Sequence, residues 1–264
     1  MAHLEVDPDA GFRVAVDAEL ATLTLNRPAR LNSQSPAMWT ELVRVRQALP
    51  GTVRVVVLRG EGRAFSAGLD RSLFRRAETD AAGEILDLAR LSAAEATSRI
   101  ATWQRAFDWN SAPTVISIAA VQGHAVGAGF QLALGADLRI LAADAQFTMA
   151  EPTLGLVPDL GGTKRLVDLV GYSRAADICL TGRRVPAGEA LRIGLASRVV
   201  PNEQLDSALD ETVAALLAID RDAAAETKAL LQHASTRSQP EQQAAERAAQ
   251  HRRLRALAGL DAED

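Results

Sequence analysis

The chain has 264 residues, 48% of them apolar and 23% charged, and a formal net charge of −4. This is ample for one large domain, or one domain with a helical appendage, and the negative balance argues against a general nucleic-acid binder. No apolar stretch reaches membrane-spanning length, and the opening MAHLEVDPDAG lacks the basic segment and apolar core of an export signal; a soluble cytoplasmic protein with no membrane partner is expected.

The single cysteine, Cys179, excludes a disulfide framework and reads as a buried thiol. His3, His124, His233 and His251 lie far apart without ligand spacing, so no metal site is expected.

Residues 12–16 and 20–25 read as two strands of a hairpin around Asp17-Ala18-Glu19. The polar turn NRPARLNSQ follows. Ser35 as N-cap and Pro36 in the first helical position then predict a helix over 36–48. Met38, Leu42, Val45 and Leu49 recur every three or four residues and give it one buried face, and Pro50-Gly51 ends it. VRVVVLRG (53–60) alternates too little to have a wet face, which predicts a central strand in a covered sheet. The loop GEGRAFSAGLD leads into residues 71–110, rich in Ala, Glu and Arg, which read as one or two helices. Trp103, Phe107 and Trp109 read there as core or lid aromatics, with ligand stacking as the alternative.

Residues 114–165 form the most informative stretch. A strand at 114–121 runs into the turn QGHAVGAG, then a helical FQLALGAD and a second strand, LRILA. A loop carrying Glu151 and Asp159 closes on Gly161-Gly162. A glycine turn before a helix leaves N–H groups unpaired for an oxygen that develops negative charge, although a turn needed only for packing would look the same. Helices at about 162–170, 173–181 and 187–193, a strand at 196–200, and helical patterns to the end complete the chain. The alternation predicts an α/β fold with right-handed crossovers. Arg247, Arg252, Arg253 and Arg255, close to Glu241 and Glu246, read as a solvated, ion-paired helix face, with an anionic-ligand patch as the alternative. Leu230, Leu231, Leu254 and Leu257 form a stripe too long to cover only its own body, which suggests a neighbouring subunit.

Five blocks, LTLNRPARLNS, VVVLRGEGRAFSAGLD, AAVQGHAVGAGFQLALGADLRI, AEPTLGLVPDLGGTKRL and LTGRRVPAGEALRIGLASRVV, together resemble the enoyl-CoA hydratase/isomerase, or crotonase, superfamily over about residues 12–201. The resemblance implies a crotonase-like spiral of ββα units over 1–200, and a C-terminal helical region over 201–264 used for oligomerisation into a homotrimer or hexamer. It implies an acyl-CoA thioester as substrate, with coenzyme A carried by that substrate and no separate cofactor. The backbone N–H groups of Leu69 and Ala128 would form the oxyanion hole, Ala128 provided that its φ is below zero. Ala67, Gly68, Asp70, Gly127 and Gln131, with Arg27 and Arg30, would hold substrate or CoA; ordinary solvated charge is the alternative for the two arginines.

Hydratases of the superfamily use two glutamates. Here Glu151 matches one, and Gln131 stands in place of the other. An amide is no general base at neutral pH, so two-carboxylate activation of water is not expected. Asp159 resembles the aspartate of dienoyl-CoA isomerases, of ring-oxepin isomerases and of chlorobenzoyl-CoA dehalogenases; it could also merely cap the next helix. The reading is an enoyl-CoA isomerase with Glu151 as proton shuttle and Asp159 as possible helper. Hydration, dehalogenation, hydrolysis and a catalytically silent acyl-CoA-binding protein are the alternatives. Phe130, Phe147, Met149, Leu154 and Leu160 could line an acyl pocket, or be core.

Overall fold

The computed structural model describes residues 4–74 and 84–260. Two strands, β1 (Phe12–Asp17) and β2 (Leu20–Leu25), pair antiparallel from Phe12 opposite Leu25 to Asp17 opposite Leu20, with Ala18 at φ 50° in the tight turn. Helix α1 (Pro36–Ala48) starts as its sequence dictates: Ser35 Oγ accepts from Met38 N at 3.2 Å, and Pro36 needs no partner at N1. Met38, Leu42 and Val45 are wholly buried, each worth about 1.5–3 kcal/mol relative to exposure.

The main sheet adds β3 (Val55–Gly60), β4 (Ile116–Val121), β6 (Leu138–Ala142) and β9 (Arg198–Val200), in the order β1-β2-β3-β4-β6-β9, parallel from β2 onward. Strand β3 lies inside this sheet with side chains buried on both faces, as its unbroken apolar run requires. Val56, Leu58, Ala119, Val121 and Leu141 face the large core; Val55, Val57, Ile118 and Ile140 face a second layer closed by α8 (Leu205–Leu217).

A smaller sheet is the part that the sequence reading missed. β5 (His124–Val126), β7 (Gln146–Thr148) and β8 (Arg184–Pro186) pair in the order β5-β7-β8, so part of the QGHAVGAG turn is itself a strand. From β4 the chain runs through β5 into α4 (Ala128–Leu134), back along β6, and again through β7: a ββα turn, once completed and once begun. The fold is thus α/β, with a predominantly parallel sheet and many helices.

Between β3 and β4 the structure gives α2 (Glu84–Asp87) and α3 (Ala93–Gln104), with short 3-10 turns beside them. The helical reading of 71–110 also covered 75–83, which lie outside the described residues. Helix α3 carries a full capping box, Ser92 with Glu95. Trp103 and Phe107 are buried and pack edge-on against Trp39, at centroid distances of 5.5 and 5.6 Å. Helices α5 (Gly162–Val170), α6 (Tyr172–Thr181) and α7 (Ala187–Arg192) follow where the periodicity placed them. Cys179, on α6, is only half-buried rather than fully enclosed.

The expected boundary at residue 200 falls just before α8, which covers the main sheet and so packs as part of the body. Helix α9 (Arg221–His233) is latched to that body by Lys228, whose buried ammonium binds Val115 O and Asp137 Oδ2. Helix α10 (Gln239–Leu257) lies on α9 through Arg252–Glu226 and Arg253–Asp220 ion pairs. Of the arginine cluster, Arg252 and Arg253 are ion-paired, and their partners come from α9 and the turn before it, not from Glu241 or Glu246; Arg255 donates to Leu260 O. Leu231, Leu254 and Leu257 remain exposed. No helix among the described residues is long and apolar enough to cross a membrane.

Candidate active site

The two glycine loops meet at one point. Gly68, at φ +79°, lies so close to the other loop that a Cβ there would stand 2.3 Å from Val126 O and 3.3 Å from Ala128 N. Beneath this contact runs a buried polar chain. Trp39 Nε1 donates to Gln34 Oε1, Gln34 Nε2 donates to Ser66 Oγ, and Ser66 Oγ donates to Asn32 O and accepts from Gly68 N. Gln34 also stitches the loop through its backbone: its N–H donates to Gly68 O and its C=O accepts from Asp70 N. Because successive N–H groups of an extended chain point to opposite sides, Leu69 N faces away from Gln34. Among the described residues neither Leu69 N nor Ala128 N donates a hydrogen bond. Ala128 has no positive φ, so the condition on its amide is met.

These amides border a cavity of about 410 Å³. Trp39, Ile100, Trp103, Leu154 and Leu160 give much of its wall an apolar character, and Ala67, Gly68, Leu69, Gly127 and Ala128 all line it. Among the described residues, Glu151, Asp159 and Arg71 are its charged lining residues. A shallower groove of about 450 Å³, lined by Arg30, Ser33, Asp70, Arg71 and Ser72, adjoins it through the shared Ala67, Leu69 and Arg71.

Glu151 opens a 3-10 turn just after β7, and its carboxylate sits beside Gly127, the residue before α4. Oε1 would lie 3.1 Å and Oε2 3.5 Å from a Cβ on Gly127. Oε1 accepts from Gln131 Nε2 at 2.7 Å. Oε2 is buried and has no hydrogen-bond partner among the described residues. Burial pushes the Glu151 carboxyl above its ordinary value; the backbone and Gln131 hydrogen bonds oppose this, and the charge of Asp159 adds to it. The Asp159 carboxyl is also pushed up, again by burial. Its side chain caps nothing: α5 begins after Gly161 without a side-chain cap, so this aspartate is not the cap of that helix. Cys179 is close enough for the Glu151 charge to add to the burial that raises its thiol.

Helix α4 is fixed at its other end by Arg139. This buried guanidinium donates to Ala133 O, Ala136 O, Asp137 O and Leu195 O, and burial lowers it to about 10, against the Asp137 charge. A cation at the C-terminal end suits the helix dipole and holds the amide end toward the cavity.

Comparison with known proteins places the chain in a family. Residues 15–257 match the family model for enoyl-CoA hydratase/isomerase. The chain belongs to the enoyl-CoA hydratase/isomerase family. A Thermobifida fusca enoyl-CoA hydratase homologue, solved in complex with CoA, superposes with a TM-score of 0.89 at 47% identity over 95% of both chains. Its complex with acetoacetyl-CoA gives 0.87 and 46%, over 93% of this chain and 95% of that one. The Mycobacterium bovis protein named as probable enoyl-CoA hydratase echA8 is 35% identical over 193 residues, 72% of this chain and 68% of its own.

Within this hydratase/isomerase family member, three groups of sequence expectations need correction. Gln131 is not a substrate contact: it is wholly buried, absent from the cavity wall, and bound to Glu151, Leu160 N and Gly162 N. Arg27 lines neither space; its guanidinium binds Ser33 O and Asp70. Arg30 does reach the groove, but paired with Asp70 at 3.2 Å. Burial alone would raise the Asp70 carboxyl, yet hydrogen bonds from Ser72, Arg30 and Ser33 hold it down to about 2. Phe130 and Phe147 stack on each other at 4.6 Å in the core, and Met149 is buried with them, so of the proposed acyl-pocket residues only Leu154 and Leu160 line the cavity. The Gln34–Ser66 chain and Arg71 were missed. The one signal in the sequence for the chain was a serine, Ser66, inside a glycine loop.

Proposed function

We propose that the protein is an enzyme that moves a double bond along the acyl group of a CoA thioester, through an enolate held at its carbonyl oxygen. The observation that carries this reading is the pairing of Glu151 with an amide, not with a second carboxylate. The thioester oxygen would accept from Leu69 N and Ala128 N. Two donors aimed at an oxygen that gains charge lower the cost of removing a proton from the α-carbon, or from the γ-carbon through a conjugated system. Glu151, whose burial brings its titration closer to neutrality, takes that proton; the electron pair moves onto the oxygen, and the proton returns at another carbon. Asp159 would serve a second proton transfer across the same cavity. The Thermobifida fusca complexes support the ligand class, and Arg71, which lines both the cavity and the groove, offers a cation for a CoA phosphate. The coenzyme arrives with the substrate, and these steps call on no further cofactor, in a cytoplasmic enzyme.

Hydration is the second reading, favoured by the hydratase names of the relatives. It needs a group to activate water beside Glu151, and Gln131 cannot be that group. Incubation of 2-enoyl-, 3-enoyl- and 3,5-dienoyl-CoA thioesters in ordinary and heavy water separates the two. Isomerisation of the 3-enoyl and dienoyl esters leaves the mass unchanged in ordinary water and can incorporate solvent deuterium in heavy water; a product heavier by one water, formed efficiently from the 2-enoyl ester, would overturn the isomerase reading. Asp159→Asn then reports its own role: a loss of about 10²–10⁴-fold marks a second proton-transfer group, whereas full activity leaves Glu151 as the sole base.

For assembly, we propose a homotrimer or a dimer of trimers, since Leu231, Leu254 and Leu257 stay exposed at the end of the chain. Light scattering at micromolar protein is expected to show a trimer or hexamer mass. A monomer would contradict it.

A further inference from the structure

We propose that Gln131 dictates which oxygen of the Glu151 carboxyl carries the proton, forcing it onto Oε2. The inference rests on reading Glu151 as the proton-carrying group. Gln131 Oε1 accepts from two main-chain donors, Leu160 N at 2.9 Å and Gly162 N at 3.2 Å. A flipped amide would set its own N–H groups against both of them, so the amide has one orientation. In that orientation Nε2 faces Glu151 Oε1 at 2.7 Å and can only donate. A proton on Oε1 would meet this donor with nothing to accept it. Oε2 has no partner among the described residues, lies beside Gly127 at the start of α4, and is therefore the oxygen that takes and gives the proton.

Glutamine at this position also does what glutamate could not. A carboxyl group at 131 would titrate, and two carboxyls at this spacing share one proton, so neither would hold a defined one. The amide keeps the acceptor that the Leu160–Gly162 turn needs, supplies a fixed donor, and leaves Glu151 to titrate without sharing its proton with residue 131. Among the described residues, the other charged or titratable groups around it are Asp159 and Arg71, which line the same cavity, and Cys179 on α6. Gln131 is thus a positioning residue. It acts through Glu151 and touches no substrate.

Difference infrared titration tests this on the unliganded protein, with Glu151→Gln identifying the carboxyl band of Glu151. Wild type is expected to show one titration step. Gln131→Glu keeps the acceptor for Leu160 N and Gly162 N, so it preserves the turn; it is expected to titrate in two steps, the upper at least about one pH unit above the wild-type midpoint. Gln131→Met removes the donor to the ionised form and is expected to give one step, raised by about one unit. If Gln131→Met fails to fold, Gln131→Glu decides alone. An unchanged Glu151 midpoint in folded Gln131→Glu overturns the proposal. Because no substrate enters the measurement, its outcome stands apart from the isomerase assay. A wild type with the expected titration but no isomerisation would keep Gln131 in this role and discard the reaction.

Discussion

Glu151→Gln is expected to lower the rate of double-bond migration by about 10²–10⁴-fold while making the protein more stable at neutral pH. The two effects share a cause. Burial raises the Glu151 carboxyl above its ordinary value of 4.5, so as pH rises the unfolded chain gives up this proton before the native state does. The native state is therefore favoured least once pH has passed its raised value, where it holds a buried carboxylate whose Oε2 lacks a partner. The penalty is absent below the unfolded value and complete above the folded one. Glutamine keeps an oxygen for Gln131 Nε2 and carries no charge, and should recover about 0.5–2 kcal/mol at pH 8 but little at pH 4. Melting temperatures of both proteins at the two pH values provide the check. A variant no more stable than wild type at pH 8 would contradict the burial argument, and undiminished turnover would remove the base.

The readable parts of the sequence were those whose signal is local. The unbroken apolar run of β3, the Ser35 cap and Pro36 start of α1, and the apolar periodicity of α5 are settled by neighbours within a few residues. Strands β5, β7 and β8 were not readable because three residues cannot show a period of two; they exist because Ser66, Ala125 and Phe147 find partners far along the chain. The same limit governs the site. Glu151 and Asp159 stood out as carboxylates in a glycine-bearing loop. That Gln131 would face Glu151, and that Arg27 and Arg30 would be taken up by Asp70, depended on distances between segments that composition does not encode. The cavity wall was hidden for the same reason: Trp39 and Ile100 look like ordinary helix-face residues until α1 and α3 pack together.

Gly68→Ala is expected to damage both stability and turnover, because two costs coincide there. The first is backbone: φ is +79°, where a Cβ costs about 1–2 kcal/mol. The second is contact. The added carbon would stand 2.3 Å from Val126 O, a backbone atom that cannot rotate away, and close to the amide of Ala128. Relief requires the two loops to part, at about 1–3 kcal/mol more, and that motion displaces Leu69 N from Ala128 N. Gly259→Ala is the comparison, since Gly259 also has a positive φ, +67°, but nothing within 4 Å of its would-be Cβ. Urea unfolding should place Gly68→Ala about 1–3 kcal/mol below Gly259→Ala, the added contact cost. Turnover should separate them further: Gly259→Ala keeps its rate, whereas Gly68→Ala loses about 10²–10³-fold, the usual effect of removing one oxyanion donor. Equal stability losses in the two variants would mean that the loops can part freely. Gly68 would then matter for its backbone angle alone, and the approach of Leu69 to Ala128 would not depend on it.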